Sequence, residues 1–217
     1  MKYFLKLFVS FILLFATVSA LGYFFWYKPK FNHTKKHSDS VKHVDVNTIT
    51  SNRLKQKAGE YKIYNQLAGY SEGYCFLIDM KMASGKKRFF VYNLKNDSVQ
   101  TAGLVTHGSG SDKGTDQLYF SNIPNSNCTS LGKYKIGNSY NGKFGLAFKL
   151  YGLDKTNSKA FNRFVVLHSH SCVPEEDIDP LPICESWGCP TVSPTFLTIL
   201  KKYIDNADKP IILWIYY

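Results

Sequence analysis

The 217-residue chain carries 27 Lys and Arg against 16 Asp and Glu, a net charge of +11, which suits an anionic partner such as nucleic acid, anionic lipid or a wall polymer. No basic cluster interleaves with aromatics and no nucleic-acid motif is present, which argues against DNA or RNA. With the N-terminal segment and a polar stretch set aside, roughly 150 residues remain, enough for one domain with a proper core. The 15 Tyr and 16 Phe lean that core towards strands.

Lys2 and Lys6 precede Leu7–Trp26, a run without charge. Its length predicts a transmembrane helix within residues 1–27, closed by the aromatic belt Tyr23–Tyr27 and by Lys28 and Lys30. The rival is a cleaved signal peptide, with Val18-Ser19-Ala20 as small residues at a processing site. The run stays apolar past that site, which favours a retained anchor. The charges after the span outnumber those before it, which by the positive-inside rule would hold the domain in the cytoplasm.

Residues 28–44 are polar and read as a linker. Its His33, His37 and His43 have no Cys or carboxylate cluster beside them and read as solvated side chains, so no metal is expected. Residues 45–72 carry the spacing of a packing helix, with Asn47 as a candidate cap. From Gly73 the period changes. Tyr74–Met80, Arg88–Leu94 and Ser98–His107 read as a meander of short strands, the start of an all-β core. Residues 108–145 are rich in Gly, Ser and Asn and read as loops with short strands. Phe144–Leu153 is a further strand, and Phe164–Leu167 a short central one that delivers His168 at its end. The acidic, proline-bearing loop 171–185 arches onward. Ser193 caps a helix over Pro194–Ala207 with Pro194 at its first position, and Ile211–Tyr217 closes the fold.

Five cysteines, Cys75, Cys128, Cys172, Cys184 and Cys189, are an odd number. They fit two disulfides plus a free thiol, or several unpaired buried thiols. Cys172–Cys184 is the local candidate pair, because it closes the loop between His168 and Cys189. The stretch Ser186-Trp187-Gly188-Cys189-Pro190 then sets a cysteine on a tight turn. A thiol attacks an acyl carbon as thiolate, and at a pKa near 8.5 it needs a base or cation beside it. His168 is placed to be that base. Gly188 permits a turn whose backbone N–H groups converge as an oxyanion hole, and Ser169 or Ser186 would orient the imidazole. Taken alone, a cysteine is more often a small buried hydrophobe.

The sequence resembles the YkuD-type L,D-transpeptidases, within them the murein L,D-transpeptidase catalytic-domain-like branch, over roughly residues 73–217. The resemblance rests on Arg88–Leu94, His107-Gly108, Phe120-Ser121-Asn122, Ser130–Tyr134, Tyr140–Lys143, Gly152-Leu153, Arg163–His168 and, most specifically, Ser186–Ser193. It implies a mainly β catalytic domain, a sandwich or barrel core with a few short helices, over 73–217. Cys189 falls on the family's nucleophile, His168 on its histidine, Ser169 on the residue orienting it, and the N–H groups of Gly188 and Cys189 on the oxyanion donors. Ser186, Trp187, His107 and His170 would contact substrate. Trp187 stands where the wider family usually has a second histidine, and Pro190 replaces an aliphatic residue.

The implied activity is cysteine-dependent acyl transfer on peptidoglycan stem peptides, as L,D-transpeptidase or L,D-carboxypeptidase, without metal or cofactor. The implied setting is a membrane-attached monomer with its domain outside the cytoplasm, against the lysine count. A related wall-linked peptide hydrolase and a non-catalytic peptidoglycan-binding module are the alternatives.

Overall fold

In the computed structural model, residues 2–23, 46–115 and 117–217 are described. The chain divides into two compact units, residues 1–44 and 45–217. In the first, α1 (Lys2–Gly22) is a 21-residue helix. Lys2 and Lys6 lie inside it, so its uncharged part within the helix is Leu7–Gly22. No helix among the described residues is long and apolar enough to cross a membrane, so the expected span over Leu7–Trp26 is not found in that form. Its last residues, and the linker 28–44 with His33, His37 and His43, lie outside the described residues.

The second unit opens with α2 (Val46–Ala68), followed by β1 (Tyr74–Asp79), β2 (Phe89–Asn93), β3 (Ser98–Gly103), β4 (Gly132–Gly142), β5 (Gly145–Gly152), β6 (Val166–Ser169), β7 (Thr191–Val192), α3 (Pro194–Asp205) and β8 (Ile212–Tyr216). The strands form one mixed sheet in the order β3-β2-β1-β8-β4-β5-β6-β7. Most neighbours are antiparallel; β1–β8 and β6–β7 are parallel. Beyond β3, Val105 bridges to Val192 of β7, so the chain leaving one edge of the sheet meets the other edge. The mainly β core expected from the sequence is present, bent towards barrel closure.

Alternation sorts the side chains. Phe76, Ile78, Tyr134, Ile136, Phe148, Leu150, Leu213 and Ile215 face the main core with Phe196, Leu197 and Leu200 of α3. Cys75, Leu77, Phe90, Tyr92 and Ile212 face a second core closed by Leu54, Ala58 and Tyr61 of α2. Arg53 clamps α2 onto the sheet by donating from Nε and Nη2 to the buried carboxylate of Asp79, at 2.7 and 2.8 Å. The expected cap on α3 is observed: the Ser193 hydroxyl accepts from Phe196 N at 3.2 Å, with Pro194 in the first turn.

Three elements depart from the sequence reading. β3 stops at Gly103 rather than at His107. The Phe196 ring lies where a Cβ on Gly103 would stand, and beyond it the chain turns towards β7. The eleven-residue β4 occupies part of a stretch read as loops with short strands; its apolar signal is only Tyr134, Ile136 and Tyr140 among Lys, Gly, Asn and Ser. The strand carrying His168 begins at Val166, because Phe164 takes a positive φ of 55°, which no strand accommodates.

Candidate active site

Parallel pairing of β6 with β7 sets His168 opposite Thr191, two residues beyond Cys189. The turn before β7 is fastened to residues 106–109. Thr106 N donates to Thr191 O and Ser109 N to Ser186 O. Ser186 N donates to His107 O at 2.9 Å, while the Ser186 hydroxyl donates to Cys189 O at 2.6 Å and accepts from Gly188 N at 3.1 Å. Gly188 has φ +105°, and a Cβ there would lie 2.6 Å from Cys128 O, so both conformation and space demand glycine. Its N–H is spent on Ser186. Of the two donors expected for an oxyanion hole, the Gly188 N–H is thus engaged, while the Cys189 N–H has no hydrogen-bond partner among the described residues.

Cys189 and His168 line the same two cavities. The larger, about 450 Å³, includes Tyr140, Lys143, Phe144, Arg163, Phe164 and Trp187. The smaller, about 200 Å³, includes Phe144, His170, Glu185, Ser186, Trp187 and Thr191. A roomier hollow of about 770 Å³ between Tyr74 and the end of α3 is lined by no Cys or His and offers no nucleophile–base pair.

The two side chains share these cavities without bonding to each other. The Cys189 Sγ lies 3.7 Å from Phe164 O. Burial pushes the thiol above its ordinary 9.0, against the opposing pull of the Val166 backbone and the Arg163 charge. The buried His168 places Nδ1 3.1 Å from Ser169 O. A carbonyl only accepts, so Nδ1 carries the proton and Nε2 is the basic nitrogen; it accepts from the Thr191 hydroxyl at 3.0 Å. Burial holds the imidazole below its ordinary 6.5, with the Ser169 carbonyl pulling up and His170 adding to the lowering. Both shifts, the thiol raised and the imidazole lowered, favour the uncharged forms of the pair.

Of the two serines named as orienters, Ser169 contacts His168, through its carbonyl. Ser186 does not touch the imidazole; it shapes the turn. Trp187 is 78 % exposed and lines both cavities. His170 lines the smaller one, its Nδ1 occupied by Cys172 N at 3.1 Å. His107 lines neither cavity. It is buried, and its Nδ1 stands 3.1 Å from Arg88 Nη2. Burial first, then the Arg88 charge, hold it down to about 4, with Asp112 pulling the other way. Its role is to supply the carbonyl that the Ser186 turn hangs from. Cys172 and Cys184 form a disulfide, the local pair named from sequence, while Cys75 and Cys128 are free and buried.

The sequence reading missed four site residues. Thr191 holds the basic nitrogen of His168. The Phe144 ring stacks on His168 at 5.3 Å. Arg163 sits by the thiol and is saturated by Ser121 O, Cys128 O and the Ser126 and Ser130 hydroxyls. Arg88, fully buried, donates to Val105 O, Met82 O and His107. Only Thr191 carried a local signal, its place two residues past the cysteine.

A mainly β domain with a cysteine and a histidine facing one cavity defines the class, and sequence comparison identifies it. The chain belongs to the L,D-transpeptidase catalytic-domain family, whose model matches residues 45–216. No curated protein matches the sequence significantly. Similar solved structures include Bdellovibrio bacteriovorus Bd1075, with 19 % identity over 69 % of this chain and 49 % of that one and a TM-score of 0.41. The helical cell shape determining protein Pgp2 from Campylobacter jejuni matches at 13 % identity over 76 % and 54 %, TM-score 0.43. The L,D-transpeptidase (residues 123-326) from Xylanimonas cellulosilytica matches at 16 % over 75 % and 77 %, TM-score 0.37. The chain spans about half the length of the first two.

Proposed function

We propose that the protein is a cysteine-dependent acyltransferase on peptidoglycan stem peptides, an L,D-transpeptidase with L,D-carboxypeptidase activity when water replaces the amine. The observation that carries this reading, beside family membership, is that Cys189 and His168 face common cavities with the His168 basic nitrogen unprotonated. With both groups shifted towards their uncharged forms, the proton leaves Sγ as the thiol attacks. The S–C bond forms, His168 Nε2 takes the proton after parting from Thr191, and the Cys189 N–H meets the developing oxyanion. Collapse breaks the C–N bond, and the terminal D-amino acid leaves with the proton from His168. An amine of a second stem, or water, then attacks the thioester. His168 takes its proton and returns it to the departing thiolate. Trp187, His170 and Phe144 are placed to bound the substrate, and Ser186 to hold the turn.

The same reading puts the domain outside the cytoplasm, acting as a monomer and delivered by the apolar N-terminal segment as export signal or membrane anchor. The raised thiol and the Thr191-engaged imidazole favour a second reading, a peptidoglycan-binding module without turnover. Incubating the full chain with disaccharide-tetrapeptides and analysing products by mass spectrometry separates them. Dimers joined between third-position residues and absent with Cys189→Ala support transpeptidation, and tripeptides alone support the carboxypeptidase. Unchanged fragments that nevertheless bind support the module.

A further inference from the structure

On a chain of net charge +11, one spot beside the site gathers carboxylates without a cation. His107, Asp112 and Glu185 bring ligand atoms within 4.8 Å of one another. Among the described residues neither Asp112 nor Glu185 pairs with Lys or Arg. Asp112 accepts from Gly114 N at 2.7 Å, and the nearest cationic candidate for Glu185 is His107 Nε2, at 3.5 Å. That nitrogen is aimed into the cluster, belongs to a residue only 5 % exposed, and has no hydrogen-bond partner. Two carboxylates this close repel, and an added cation relieves the repulsion.

Arg88 decides which cation fits. A guanidinium only donates, so His107 Nδ1 is the acceptor of the 3.1 Å contact, and in a neutral ring Nε2 carries the proton. It therefore has no lone pair for a metal ion. It presents an N–H towards Glu185 at 3.5 Å, which leaves the carboxylate's lone pairs for a donor. An ammonium group, which needs only acceptors, matches this set.

Glu185 is also fixed on both sides, by the Cys172–Cys184 disulfide and by the Ser186 clasp on His107. It lines the smaller cavity with Cys189 and His168, and no Lys or Arg lines that cavity. The larger cavity has the opposite character, with Lys143 and Arg163 and no carboxylate. Charge thus divides the two sides of the nucleophile.

Resting on the acyltransferase reading, we propose that Glu185, supported by His107 and Asp112, is the specificity-determining subsite that captures the side-chain ammonium of the incoming acceptor stem, which gives one proton to the Glu185 carboxylate before attacking as the free amine. The larger, cationic cavity is left to the anionic acyl donor. The test is calorimetric titration of the full chain carrying Cys189→Ala with a synthetic stem tripeptide ending in L-lysine, its side-chain amine free or acetylated. The free amine should bind about tenfold more tightly, the size of one hydrogen-bonded charge contact in a half-exposed setting. Glu185→Gln should erase that difference, and Asp112→Asn should reduce it. Equal affinity of the two peptides, or a preference that survives Glu185→Gln, overturns the proposal. So does stoichiometric binding of Zn²⁺ that Glu185→Gln abolishes, which would make the cluster a metal site. Failure of the acyltransferase reading shows elsewhere, as an unmodified Cys189 in the wild-type chain, and leaves the titration result standing.

Discussion

Replacing His107 by Asn gives a quantitative test of the clasp behind the nucleophile. Asn keeps an acceptor near the Nδ1 position for Arg88 but does not titrate. In the folded wild type the imidazole is held at about 4, whereas an unfolded histidine titrates near 6.5. A depressed folded pKa means that the unfolded chain binds the extra proton first. The stability at stake is complete above pH 6.5, declines as pH falls towards 4, and is gone below that. Linkage over this interval amounts to about 2.5 kcal/mol at pH 4.5 and almost nothing at pH 7.5. Urea unfolding at the two pH values measures it. The groups facing the ring, Arg88, Asp112 and Glu185, are common to both proteins, as are all other titrating groups. The wild type should therefore lose about 2.5 kcal/mol more than His107→Asn between pH 7.5 and pH 4.5. Equal losses would show that His107 is not held neutral by burial and Arg88, and would undo the tautomer assignment at the clasp.

Three further outcomes follow from the site. Gly188→Ala places a methyl 2.6 Å from Cys128 O at a φ of +105°. It should cost about 2 kcal/mol or more in urea unfolding and suppress Cys189 alkylation; a loss under about 0.5 kcal/mol would contradict the strained turn. Thr191→Val leaves the buried His168 Nε2 without its 3.0 Å partner. The expected destabilisation is about 1–2 kcal/mol by the same assay, and unchanged stability would dispose of that bond. Iodoacetamide labelling of Cys189 should keep accelerating beyond pH 9, because burial raises the thiol. A plateau by pH 8 would instead reveal a preformed thiolate.

Local signals made much of this legible in the sequence. Alternation and turn residues marked β1 and β2, Ser193-Pro194 marked the start of α3, and the twelve-residue separation of Cys172 and Cys184 marked a closable loop. The motif and a histidine on an upstream strand identified two residues that do meet at common cavities. What stayed hidden depends on neighbours distant in sequence. β4 is a strand because β5 and β8 flank it, which its own Gly-, Lys- and Asn-rich sequence does not announce. The positive φ of Phe164 comes with the tight turn through Phe161 and Ala160. Arg88, 19 residues from His107, fixes a tautomer that spacing cannot reveal. Burial of Cys189 and His168, which raises the thiol and lowers the imidazole, comes from neighbours that residue spacing does not reveal.

The central claim is that Cys189 takes the acyl group. Intact-mass spectrometry of the full chain, quenched in acid during turnover of disaccharide-tetrapeptide, tests it most directly. The expected product is an adduct of the substrate less its terminal D-amino acid, located on Cys189 by peptide mapping, absent with Cys189→Ala and slower to form with His168→Ala. Turnover without any adduct on Cys189, or an adduct on another residue, would contradict it.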